Sequence, residues 1–106
     1  MTEYLSHDGK RIRLTATQKS HIVFFHPEIF QQKDEDRFGI TLREPDMIVN
    51  GATIDTRISY KFFNVTPVTS KFLAVVVKTL DGEGFIITAY FTDDVKRSKV
   101  IWRKPS

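Results

Sequence analysis

Hydrophobic and polar positions change rhythm twice along this chain. From Lys10 to Thr15, KRIRLT alternates cation with aliphatic, the period of an extended strand, with Ile12 and Leu14 turned inward. The alternation stops at Ala16. The run into HIVFF has no period of two, and Thr15 with Gln18 has the spacing of a capping box, so a first helix is expected from Ala16 to Phe25. Pro27 disfavours a helical conformation at His26 and should end that helix there. A second short helix is expected through Phe38, Ile40 and Leu42, capped by Asp34 or Asp36 and stopped by Pro45.

After Pro45 the pattern reads as sheet. Met47 to Val49 and Ala52 to Ile54 flank Asn50-Gly51, the pair favoured by a tight type I′ hairpin. Arg57 to Phe63 alternates, with Ile58, Tyr60 and Phe62 on one face and Arg57, Ser59 and Lys61 on the other. The near-continuous apolar run FLAVVVKTL, Phe72 to Leu80, suits a central strand covered on much of both faces, and Val76→Asp should be among the most damaging single changes. It leads through DGEG into FIITAYFTDD. Strict alternation there places Phe85, Ile87, Ala89 and Phe91 on a core face, and Ile86, Thr88, Tyr90 and Thr92 on a face with three hydroxyls. Helices first and an antiparallel meander afterwards, with the helices layered on one face of the sheet, make an α+β fold.

A length of 106 residues fits one domain with one core and no staples. Cysteine is absent, which removes disulfides, thiolate nucleophiles and cysteine-ligated zinc. The N-terminal MTEYLSHDGK has no apolar run of signal length, and no stretch approaches the roughly 20 apolar residues that span a bilayer, so a soluble, cytoplasmic protein with no membrane association is expected. The formal charge of +3 permits an anionic partner. Its distribution is more informative: Lys96, Arg97, Lys99, Arg103 and Lys104 surround Trp102, whereas Lys33 to Asp36 is a small acidic knot. Cations interleaved with an aromatic suit a phosphate backbone with bases to stack, although a solvated charged tail has the same composition.

No phosphate-cradling G-x-x-x-x-G-K-[ST], G-x-G-x-x-G, G-x-S-x-G or HExxH motif occurs. His7, His21 and His26 are the imidazoles; His21 and His26, five apart, lie about 140° around a helix, poor spacing for a shared metal. What remains is acid/base chemistry without metal or cofactor. RNA cleavage needs a base for the 2′-OH proton, an acid for the leaving 5′-oxygen, and cations or hydrogen-bond donors for the phosphorane, because the substrate supplies its own nucleophile. His21 or His26 could serve as base or acid, Lys78 could hold phosphate, and Thr88 and Tyr90 could donate to its oxygens. Hairpin register decides whether Lys78 joins them: a three-residue loop sets it opposite Thr88, while a two- or four-residue loop turns it away. Each residue also has a plainer reading. His21 suits a helix surface, Lys71 and Lys78 strand ends, and Thr88 and Tyr90 an exposed β face.

Three segments in this order, HIVFFHPEI, TLREPDMIV and KFLAVVVK followed by FIITAYFTDD and VIW, resemble elements of the phage-associated and cyanobacterial members of the barnase–EndoU–colicin–RelE superfamily. The resemblance covers about Ser20 to Trp102. It implies N-terminal helices on one face of a four-stranded antiparallel sheet, here with KRIRLT as an extra N-terminal strand, and a metal-independent ribonuclease with a toxin-like role. By position it marks His26, Lys78, Thr88 and Tyr90 as catalytic candidates with His21 as a plausible second histidine. Lys71, Thr92, Lys96, Arg97, Trp102 and Arg103 are the candidate substrate contacts. The expected partners are RNA and, for a toxin, an acidic neutralising protein, with the chain a monomer or small homo-oligomer. Alternatives are a noncatalytic RNA-binding module using the same basic face, or a protein-interaction domain pairing through apolar strand edges.

Overall fold

The computed structural model describes residues 2–30 and 37–105. Among these, seven strands form one mixed sheet: β1 (Thr2–Leu5), β2 (Arg11–Leu14), β3 (Met47–Asn50), β4 (Thr56–Phe62), β5 (Phe72–Leu80), β6 (Glu83–Thr92) and β7 (Val100–Arg103). Their spatial order is β1-β2-β6-β5-β4-β3-β7, antiparallel throughout except where β2 runs parallel to β6 at Ile12–Gly84 and Arg13–Phe85. Two helices accompany it, α1 (Ala16–Phe25) and α2 (Arg37–Arg43), with a 3-10 turn over Pro27–Phe30. No described helix is long and apolar enough to cross a membrane.

The expected four-stranded antiparallel sheet is therefore corrected to seven mixed strands. Two edge strands escaped because neither has a fully buried position to mark it in the hydrophobic pattern. TEYL pairs with RIRL through a turn in which Gly9 has φ 81°, and VIWR adds to the outer edge of β3. The helices, moreover, cover only part of one face. Ile22 from α1 and Phe38 and Leu42 from α2 join Ile12, Leu14, Leu73, Val75, Val77, Ile86 and Ala89 in the main core. The other face has its own smaller core of Met47, Val49, Tyr60 and Ala74, closed over by Val95 and Val100.

β5 is central, with Leu73, Ala74 and Val75 buried on alternating sides. Val76, by contrast, is half-buried on the smaller-core side, so Val75 rather than Val76 is the position least tolerant of charge. The Asn50-Gly51 pair does not make the tight hairpin. Asn50 pairs with Arg57, and Ala52 to Ile54 form a loop instead of a strand, leaving Ile54 99% exposed. Gly51 is needed there for close approach, since an added Cβ would collide with the Thr56 side chain. The I′ geometry appears two hairpins later, where Asp81 and Gly82 have φ 53° and 80° and connect Leu80 directly to Glu83.

α1 begins as its sequence predicts. Thr15 Oγ1 accepts from the Gln18 amide at 3.1 Å, and the helix stops at Phe25, with His26 leaving helical geometry before Pro27. The expected Asp34 and Asp36 caps of α2 lie outside the described residues. Pro45 does end the turn after α2, and it is fully buried. Asp46 beside it accepts from the Phe62 amide at 2.7 Å and faces Lys61 Nζ at 3.8 Å, so the Pro-Asp element clips the start of β3 to the end of β4.

Candidate functional site

The two-residue turn sets the register of the β5–β6 hairpin, and a bulge then shifts it. Lys78 stands opposite Phe85 and Val77 opposite Ile86, but Val76 stands opposite Thr88, leaving Ile87 unpaired. The bulge changes which residues share a face. Ile86 joins Ala89 in the main core, where strict alternation had set Ile87, while Phe85, Thr88, Tyr90 and Thr92 share the opposite face through their partners Lys78, Val76, Ala74 and Phe72.

The same bulge fixes α1. Gln18 donates its side-chain amide to the Ile87 carbonyl, so this side chain ties α1 to β6. Among the described residues no strand pairs with the outer edge of β6 beyond Phe85, and α1 lies alongside it. A shallow cleft of about 370 Å³ results, lined by Gln18, His21, Phe25, His26, Ile87 and Thr88. His26 ends α1 with its backbone N–H donating to the Ile22 carbonyl at 2.7 Å. Its ring lies 6.0 Å from that of Tyr90, and its Nδ1 lies 3.7 Å from Glu28 Oε1, supplied by the 3-10 turn. The His21 ring packs on Phe25 at 4.7 Å. Tyr90 in turn reaches toward the buried Tyr60, whose hydroxyl makes no hydrogen bond; burial first, and then Tyr90, push the Tyr60 phenol above its ordinary pKa of 10.0.

Three of the five expected catalytic residues, His21, His26 and Thr88, thus line one cleft, and Tyr90 packs beside His26 against the smaller core. Lys78 does not join them. Its ammonium faces Asp55 at 3.7 Å, at the end of the sheet where β5 turns into β6, and no lysine or arginine among the described residues lines the cleft. The expected substrate contacts are dispersed. Lys71 Nζ donates to the Asn64 carbonyl at 2.8 Å, Thr92 Oγ1 accepts from the Asp94 amide, and Lys96 pairs with Asp94 at 3.3 Å. Arg97 is exposed in a short 3-10 turn before β7, and Arg103 is exposed on β7.

Trp102 belongs to a second region that the sequence reading did not find. Its ring lies 4.7 Å from that of His7, which sits in the β1–β2 turn, so the two opposite edges of the sheet curl until they touch. Between them is an open cavity of about 540 Å³ on the side of the sheet that carries the main core. Ile12, Ile48, Val77 and Leu42 supply apolar surface, Ser59 and Thr79 supply hydroxyls, and Asp8, Lys10, Asp55 and Arg57 supply charge. The Asp8 carboxyl is held below its usual value chiefly by the Ser6 hydroxyl, and that of Asp55 chiefly by the Thr53 hydroxyl. Each faces a lysine, Lys10 at 4.0 Å and Lys78 at 3.7 Å. The signal for this region was the TEYL–SHDG–RIRL hairpin, but nothing in a linear pattern says that its turn reaches the last strand.

Against known proteins the chain stands by itself: no family model, no curated protein and no solved structure matches it.

Proposed function

We propose that the cleft between α1 and β6 is the site of metal-independent RNA cleavage in the cytoplasm. The observation that supports this most is that His21 and His26 from the end of α1 line one solvent-accessible cleft with Thr88 of β6, with the Tyr90 ring 6.0 Å from that of His26. The superfamily resemblance of the same segments supplies the reaction class. One imidazole takes the 2′-OH proton while the other protonates the 5′-oxygen, and the bond to the 5′-oxygen breaks as the 2′-oxygen bonds to phosphorus. The products are a 2′,3′-cyclic phosphate and a 5′-hydroxyl. Glu28 orients His26, whose other nitrogen faces substrate. Thr88 and Tyr90 donate to the non-bridging oxygens, and the exposed Phe25 ring offers a stacking face for a base. If such an activity harms its host, a neutralising acidic protein would have to cover this edge.

One observation favours a second reading. The cleft has no lysine or arginine among the described residues to clamp a scissile phosphate, whereas Lys96, Arg97, Lys99 and Arg103 are exposed away from it, so RNA held by those cations would be bound without being cut. The deciding experiment incubates the full chain with total RNA in excess EDTA, beside His26→Ala and Thr88→Ala variants checked for folding by circular dichroism. Fragments ending in cyclic phosphate, made by the wild type and lost in folded His26→Ala, are the expected result. Intact RNA with wild type sinks the cleavage reading; retention on RNA that weakens with salt would then identify the binding module.

A further inference from the structure

We propose that the concave cavity beneath the His7–Trp102 contact is a separate binding site for a small amphipathic carboxylate. Its volume of about 540 Å³ lies within the range of small-molecule sites, roughly 300–1,000 Å³. Three observations argue for a ligand of this chemistry.

The first is the way the apolar floor is hidden. α1 and α2 cover only part of this side of the sheet, yet Ile12, Ile48 and Val77 at the uncovered end are each at least nine-tenths buried. What shields them is the curl of the sheet itself, with the β1–β2 turn on one side and β7 on the other. A hollow remains where a packed layer would otherwise lie, and an apolar body fills it at a gain of roughly 25 cal/mol per Å² removed from water.

The second observation is the balance of charge. Asp8 is matched by Lys10 and Asp55 by Lys78, whereas no carboxylate among the described residues stands within ion-pair distance of Arg57. An unmatched guanidinium at the rim of an apolar hollow selects an anion, and its planar fork matches a carboxylate through two parallel hydrogen bonds. The third is the polar wall. Ser59 is buried directly across β4–β3 from Ile48, and Thr79 lies opposite Gly84, so hydroxyls flank the floor without interrupting it. The flat Trp102 indole forms the remaining side and favours an aromatic or planar body.

The site stands independently of the α1–β6 cleft. No residue lines both. Trp102 is the single tryptophan of the chain, so its fluorescence reports on this cavity directly. The test titrates the full chain with phenylacetate and, separately, with its neutral isostere phenylacetamide, following Trp102 emission and amide NMR shifts. The expected result is saturable binding of phenylacetate, about tenfold or more tighter than phenylacetamide, the difference one charge-assisted bidentate contact provides. Shifts should centre on Arg57, Ser59 and Thr79. In Arg57→Gln, an exposed substitution that leaves the fold intact, the preference for the anion should vanish; in His26→Ala it should persist. Absence of saturable binding, equal affinity for the two isosteres, or an undiminished anion preference in Arg57→Gln would each overturn the proposal.

Discussion

The cleft beside α1 and the cavity under Trp102 both rest on β6, one on each side of its bulge, yet they are built in opposite ways. The cleft is shallow and its working groups are polar or aromatic, presented from a helix end and a strand edge. The cavity is deeper, its floor is aliphatic, and its polar groups are confined to walls and rim. A shallow edge holds little of any small molecule, so what binds there has to extend well beyond it, as a polymer does. A hollow enclosed on several sides removes most of a small ligand from water. Reactive side chains alone would have pointed only to the first region, and enclosed volume alone only to the second.

That contrast can be broken most severely in β5, the central strand paired with β6. Val75→Asp would bury an unpaired carboxylate in the main core beneath both, and a loss of at least about 4 kcal/mol in urea unfolding is expected, with both functions gone. Val76→Asp, on the half-buried opposite side, should cost about 1–2 kcal/mol less. His26→Ala separates the regions cleanly: RNA cleavage falls about 10²- to 10⁴-fold while phenylacetate binding and thermal midpoint hold. A loss in both assays would mean that the regions are coupled. Thr15→Ala removes the α1 cap and should cost about 1 kcal/mol, with faster hydrogen exchange in α1 and none in β7.

Smaller effects sharpen the cavity side. Trp102→Ala, which removes the contact with His7 across the open side, should cost about 0.5–1.5 kcal/mol beyond its lost burial and abolish phenylacetate binding without altering cleavage. Acidification gives the smallest change. Because the folded chain holds the Asp8 carboxyl below its ordinary 3.8, it binds that proton less tightly than the unfolded chain. The Asp8 contribution is present above that pH and fades below it, which should appear as a late-acid shift in Trp102 emission.

How much of this was legible depends on the range of the interaction involved. The limits of α1, its Thr15 cap, the stop at His26 and the central place of FLAVVVKTL follow from side chains a few residues apart, and they were readable. His26 comes beside Thr88 and Tyr90 through the packing of α1 along β6, a contact between distant residues that no local pattern states. Lys78 was lost to a register that no alternation pattern settles: the Asp81-Gly82 turn and the extra residue at Ile87 each move side chains between faces. The Asn50-Gly51 signal misled because Thr56, five residues on, closes the loop with hydrogen bonds from its hydroxyl and backbone. β1 and β7 bury no residue fully and so print no hydrophobic pattern, and the cavity depends on where they end up.

The touch between His7 and Trp102 also sets a timetable. Those two rings belong to opposite ends of the chain, so as the protein is synthesised the helices and the β4–β5–β6 meander can assemble while the cavity is still missing one wall. The α1–β6 cleft is complete once Tyr90 has emerged; the hollow is not, until Trp102 follows and folds back to the first hairpin. A nascent chain paused between those points would already hold the α1–β6 cleft but not the enclosed cavity.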